Sequence, residues 1–375
     1  MKTSVATVKL NSVNLNSVRM NMVELGRKTS RQSTLPAPVA WYDIEKEGKN
    51  NDSPDRSIVT DFSGNGRNLK LYNFDWRGYS GYGGYEIRYG KRSNADYGAL
   101  SMNTDYISHT ENKIYINNMS KGKVIIGSET AHWGTYYFSL NCDSHKVVIK
   151  GLPEGAKFIV NIYYKNIYNG IVYLDKNLNT ITCDGTYILS GYVSSTLDSP
   201  YIYSYYIESP AEGPCDLTIE QLPVYPGALV FDYNDDYAEF VGDLGLNEYT
   251  VLFDRLYYNS YKSDRYPLYA TLKKEYSNDI PFKMEFIERS RNENLSYSYG
   301  ASTEIDTING IRKVSVQTSV SYNGKDILRG DSLKKGNGLC LGHNSHLAFY
   351  KLLLFDRILT AEQIELAKVK YGFNK

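Results

Sequence analysis

The chain has 375 residues, enough for two ordinary domains, because single hydrophobic cores stop growing at roughly 250–300 residues. Its 42 basic and 42 acidic side chains cancel, so nothing in the total charge favours nucleic acid or an anionic membrane as a partner. Cys142, Cys183, Cys215 and Cys340 are scattered, none within metal-ligand spacing of another, which speaks against a zinc module. They read first as small buried hydrophobes and second as a disulfide among Cys142, Cys183 and Cys215.

Residues 1–35 form an arm of distinct character. Six basic side chains (Lys2, Lys9, Arg19, Arg27, Lys28, Arg31) against Glu24 give it +5 and leave the remainder at −5. Polar residues interrupt MKTSVATVKLNSVNLNSV too often for the apolar centre of a signal peptide, and no later window reaches the roughly 18 apolar residues of a membrane span. The reading is a soluble chain without an ordinary export signal. The repeats Leu10-Asn11-Ser12-Val13 and Leu15-Asn16-Ser17-Val18 alternate as an extended strand does, yet one strand cannot bury a face alone. Pairing with another chain is therefore expected, with an unstructured tail as the alternative. Pro36 and Pro38 then force an extended linker and set a boundary near residue 36.

From residue 36 onward, short runs such as VAWYDI, NLKLYNF, KVVIKGL, KFIVNIYY, ALVFDY and FYKLLLFD alternate with Gly, Asn, Asp and Pro turns. That pattern predicts all-β sandwiches. In DFSGNGRNL, Gly64, Asn65 and Gly66 are turn residues able to adopt positive φ. No Lys-Ser/Thr follows and no helix opens, so the stretch is not a phosphate loop.

Tyrosine is abundant, 36 residues against 12 Phe and 3 Trp, through coding bias or through recognition by amphipathic rings. The stretch RGYSGYGGYEIRYG places Tyr79, Tyr82, Tyr85 and Tyr89 among glycines, and His132-Trp133 lies near Tyr136 and Tyr137. These rings offer either aromatic faces to a glycan or a connector packed between two sandwiches. Further strand-like runs fill 105–222, and Pro223 and Pro226 end that span. At the C-terminus, Thr360-Ala361-Glu362-Gln363 fits a capping box that opens a short helix.

Three stretches carry a resemblance. Val39-Ala40-Trp41-Tyr42-Asp43 with Asp61-Phe62-Ser63-Gly64-Asn65-Gly66 is the first. Leu229-Val230-Phe231-Asp232-Tyr233-Asn234-Asp235-Asp236-Tyr237 is the second. Leu352-Leu353-Leu354-Phe355-Asp356-Arg357-Ile358-Leu359-Thr360-Ala361-Glu362-Gln363-Ile364 is the third. In this order they resemble the laminin-G-like, concanavalin A-like lectin/glucanase family. Tyr233 stands where that family's glycine is expected, a departure that puts the tight turn there in doubt, though Asn234 can still supply a left-handed residue.

The resemblance implies an all-β fold: a concanavalin A-like β-sandwich interrupted by a second, jelly-roll-like β-sandwich, with an extended arm and a short C-terminal helix. The roughly 150 residues between the first and second stretches exceed any structureless loop. The division is 1–35 as anchoring and oligomerisation arm, 36–104 as the first part of the sandwich with its connector, 105–222 as the insert, and 223–375 as the second part.

Glycan-cleaving relatives of such a fold place acids on one strand face. Glu304-Ile305-Asp306 lacks a third acid, and Glu285 and Glu288 have the wrong parity, so no catalytic residue and no enzyme activity are expected. Asp235-Asp236, or Asp52, Asp55 and Asp61, could gather oxygens for calcium, but Asp in turns more often bonds its own backbone, and no metal or cofactor is expected. His109, His132, His145, His343 and His346 read as surface loop residues.

With its W-Y-D and D-F-S-G-N-G start, an inserted β domain and the return TIEQLPVYPGAL at 218–229, the chain also resembles, over about 36–375, structural proteins of tailed phages infecting gut Bacteroidota, including crAss-like phages. That similarity implies a head-fibre, capsid-decoration or tail-fibre subunit on the virion surface. It would be a homo-oligomer attached to other virion proteins through 1–35 and facing carbohydrate, with no nucleic-acid or membrane partner. The alternative is a bacterial glycan-binding or glycan-cleaving protein.

Overall fold

A computed structural model describes residues 34–85, 107–126, 141–165, 172–193, 201–258, 268–269, 311–326 and 338–373, apart from 111, 120, 143–144, 190–191, 245, 247, 323–324 and 344. The arm before Thr34 and the acids of 285–306 lie outside the described residues.

One sandwich, the carrier, opens with β1 (Ala40–Asp43), a one-turn helix α1 (Ile44–Glu47), β2 (Ile58–Val59), β3 (Leu69–Tyr72) and β4 (Gly81–Tyr82). The insert supplies β5 (Ile107–His109), β6 (Lys113–Met119), β7 (Gly122–Ile126), β8 (Asn141–Cys142), β9 (His145–Lys150) and β10 (Lys157–Lys165). It continues with β11 (Val172–Ile181), β12 (Gly185–Leu189), β13 (Tyr192–Val193), β14 (Tyr201–Ser209) and β15 (Gly213–Gln221). The carrier resumes with β16 (Leu229–Asp232), β17 (Tyr237–Val241), β18 (Thr250–Tyr257), β19 (Leu268–Tyr269), β20 (Lys313–Thr318), β21 (Ser321–Tyr322) and β22 (Lys325–Asp326). It closes with β23 (Gly338–Leu341), β24 (His346–Phe355) and helix α2 (Ala361–Lys370).

Two sheets build the carrier, ordered β22-β21-β20-β18-β24-β16-β4 and β19-β23-β17-β3-β2. Their inner faces share a core that includes Leu69, Phe231, Phe253, Leu341 and Leu354. Strand β24 is the hub. It pairs with β18 along one edge, while on the other β16 takes His346–Phe349 and β1 takes Lys351–Leu354, end to end. A register shift opposite Asp254 and Arg255 leaves Tyr350 at the joint between them, a bulge that resets which side chains face inward.

Both faces of this sheet are covered. Helix α2 and the residues after it, Tyr371 and Phe373, pack with Leu353 and Phe355 on the outer face, while Tyr79, Tyr225 and Tyr258 pack against Val230, Leu256 and Ala348. Double coverage explains why β18 and β24 are buried along their whole length, whereas β3 alternates buried and exposed. Each Leu so enclosed contributes about 1.5–3 kcal/mol.

Two polar devices tie the motif stretches together. Asp61 accepts from the backbone N–H of Trp41, Ser63 and Arg67 (3.0, 2.9 and 2.9 Å) and from the Ser63 hydroxyl at 2.8 Å, so its carboxylate organises the glycine turn. Gly64 and Gly66 have φ of 86° and 69°, as a turn at those positions requires. Lys351, buried on β24, pairs with Asp43 at 2.8 Å and donates to the carbonyls of Tyr371 and Gly372. One ammonium group thus joins β1, β24 and the end of α2. Asp43 also caps α1 by accepting from Lys46 N–H, and Thr360 and Gln363 form the full capping box of α2.

The insert consists of two sheets, β12-β9-β15-β6-β5 and β11-β10-β14-β7, enclosing one core with Ile116, Ile149, Phe158, Ile207 and Ile219. Leaving out the edge strand β5 and the small β8-β13 pair, eight strands remain. The first neighbours the eighth, then the third and sixth; the second neighbours the seventh, then the fourth and fifth. That order is a jelly roll.

Candidate functional site

The described end of the first carrier segment and the return from the insert lie side by side and form a neck. Outgoing Gly83 and Gly84 run antiparallel to incoming Val224 and Tyr225, joined by Val224 N–H to Gly84 O (2.9 Å), Tyr225 N–H to Gly83 O (2.7 Å) and Gly83 N–H to Ala228 O (2.8 Å). Beside this neck, half-buried tyrosines form a stripe across the outer face of the carrier. Tyr79 lies 5.0 Å from Tyr258 with rings nearly parallel, and Tyr225 lies 5.5 Å from Tyr258. Beyond Tyr258 comes His346, edge-on at 5.4 Å, and Tyr233 stacks on that imidazole at 4.8 Å and 14°. The Tyr258 hydroxyl donates to Phe231 O at 2.7 Å, which fixes the middle of the stripe to β16.

The stripe ends at an acidic turn. Asp232, Asp235 and Asp236 bring carboxylate oxygens within 4.8 Å of one another, the one group of three metal-capable side chains among the described residues. Their oxygens already serve the turn. Asp232 accepts from Asn234 N–H and Asn234 Nδ2 (3.0 and 3.1 Å), and Asp236 accepts from the Ser80 hydroxyl and from Asp232 N–H (3.0 and 3.1 Å). Burial, and then the charge of Asp232, push the Asp236 carboxyl up to about 8, against the two hydrogen bonds it accepts. At neutral pH it therefore carries a proton. The arrangement is an Asx-type turn closed over one buried, neutral carboxyl. Of the other calcium candidates, Asp61 is committed to its glycine turn and Asp55 faces Lys49 at 3.2 Å.

Several expectations change. Tyr82 is 4% exposed and belongs to the carrier core, so it has no face to offer a ligand. Tyr79 joins the stripe, and Tyr85 sits half-buried at the neck; Tyr89 and Trp133 lie outside the described residues. The left-handed residue of the acidic turn is Tyr233 (φ 76°), not Asn234, because Asn234 is held by Asp232 while stacking on His346 supports the strained Tyr233. His346 begins β24 and is buried under Tyr233 and Tyr258, contrary to its reading as a surface loop residue. Cys183 and Cys215 are thiols, which removes the disulfide reading for both, and Cys183 is exposed rather than buried.

Sequence reasoning missed Tyr225, Tyr233 and Tyr258 as a group. They lie in three separate segments, and only pairing of β16 with β24 and of β18 with β24 assembles them.

No protein-family model, curated protein or solved structure matches this chain. The reading of function therefore rests on the site itself.

Proposed function

We propose that this chain is a structural display protein of a phage virion, a head-fibre, capsid-decoration or tail-fibre subunit. Its arm, 1–35, attaches it to other virion proteins or to its own copies, and its two sandwiches face outward toward host or mucosal glycans. The observation that carries the glycan part is the ring stripe, Tyr225, Tyr79, Tyr258 and Tyr233, ending at the exposed side chains of Asn234 and Asp235. Aromatic faces beside amide and carboxylate groups are the chemistry that holds a sugar ring.

Binding rather than cleavage is favoured by where the protonated acid lies. Glycoside hydrolysis needs a carboxyl acid that reaches the glycosidic oxygen, and Asp236 is 1% exposed, covered by Ser80 and its own turn. The basic, alternating arm supports attachment by strand addition.

Two experiments test this reading. Glycan-array binding by the purified chain should weaken at least tenfold in Tyr258→Ala; a chain that binds no glycan, or a variant that binds unchanged, refutes the stripe as the contact. Deleting 1–35 should abolish incorporation into virions, and normal incorporation would remove the anchoring role.

A further inference from the structure

Inserted domains on two chain crossings ordinarily move relative to their hosts unless a large apolar interface restrains them. The neck of this molecule is built differently. Gly83 has φ of 84°, and a Cβ there would stand 2.6 Å from Cβ of Pro223, so the end of the first carrier segment and the returning segment touch at a spacing that only glycine permits. Gly84 lies under Tyr225 and Val230 in the same way, and a methyl group on it would stand 3.2 and 3.3 Å from their side chains.

Tyr85 extends this contact into the insert. Its N–H donates to Gly78 O in the carrier at 2.8 Å, and its hydroxyl accepts from Asn112 Nδ2 at 3.5 Å. Asn112 stands just before β6, and its own carbonyl accepts from Gln221 N–H at the end of β15. Leu222 N–H then bonds to Lys146 O on β9. A single hydrogen-bonded path therefore runs from the carrier loop at Gly78, through Tyr85 and Asn112, to the first, third and eighth strands of the jelly roll.

We propose that the neck is a rigid clasp that makes carrier and insert one cooperative body, with Gly83 as its close contact and Tyr85 as the pin that couples the two cores. The consequence is a fixed orientation of the jelly roll relative to the tyrosine stripe. The clasp does not depend on what the stripe binds.

Differential scanning calorimetry of the full chain tests this. The wild type should melt in one transition whose van't Hoff and calorimetric enthalpies agree. Tyr85→Ala should split it into two transitions at least about 5 °C apart, since the larger core then melts without the smaller. Gly64→Ala is the control: φ there is 86° with nothing within 4 Å, so it should lower a single transition without splitting it. Gly83→Ala should behave as Tyr85→Ala does, and because it could also fail to fold, Tyr85→Ala decides. Two transitions in the wild type, or one undivided transition in Tyr85→Ala, overturn the proposal.

Discussion

Asp236→Asn gives the most direct test of how the acidic turn is built. In the unfolded chain an Asp carboxyl titrates at about 3.9, while in the fold Asp236 is pushed up to about 8 by burial and by Asp232. Between those values the folded state holds a proton that the unfolded state has released, so the contribution of Asp236 to stability is greatest below about pH 4 and falls as pH rises toward 8. At about 1.4 kcal/mol per pH unit, the loss is roughly 4 kcal/mol at pH 7 and reaches roughly 6 kcal/mol above pH 8. Asparagine keeps an oxygen for Ser80 or for Asp232 N–H and has no proton to lose. Urea unfolding of both proteins at intervals from pH 4 to 9 isolates the effect as a difference curve, in which other titrating groups cancel. The variant should match or fall slightly below the wild type at pH 4 and exceed it by about 3 kcal/mol at pH 7. Parallel curves across this range, or a variant less stable at pH 8, would refute a raised Asp236 carboxyl in the turn.

Other perturbations have equally definite outcomes. Lys351→Met leaves Asp43 buried without its cation and should cost about 3–5 kcal/mol in urea unfolding, with part of the loss recovered in the double variant carrying Asp43→Asn; a cost below about 1 kcal/mol would show that the ion pair contributes little. Asp61→Ala removes the acceptor for three backbone N–H groups and a hydroxyl, and should cost at least about 3 kcal/mol, with faster amide exchange at Trp41 and Arg67 as the local signature. Thr360→Ala removes one half of the capping box and should cost about 1 kcal/mol, visible as a small loss of helical circular dichroism before global unfolding.

Local chemistry made much of the fold legible. Alternation and turn residues indicated β-sandwiches, the spacing of Thr360 and Gln363 marked the start of α2, and Gly64 and Gly66 marked a left-handed turn. Each of these signals is complete within a few residues. What the sequence hid depends on distant partners. Tyr82 looked equivalent to Tyr79 and Tyr85 because glycines surround it, yet the Asn51 side chain accepts from its N–H and its ring lies in the core. His346 sits among Gly, Asn and Ser, and only contact with Tyr233 and Tyr258 shows it as a strand residue. Helix α1 escaped notice because it is a single turn, although Asp43 before it and Gly48 after it are its caps. The tyrosine stripe was illegible for the same reason as these: its members meet only across β24.

The position of β24 in the chain also governs the order in which the molecule can be made. Both β1 and β16 pair with it, and it follows every other described strand in the chain. The jelly roll is complete at Gln221, whereas the carrier must wait for Phe355, a delay of roughly 7–27 s at about 5–20 residues per second. Chains ended at residue 340 should accordingly contain a protease-resistant insert and a digestible carrier, and an equally digestible insert would contradict this order. During synthesis the insert is thus the first finished object, and for that interval it holds the two halves of its host, residues 36–82 and those after 229, close to each other before β24 is there to pair with either.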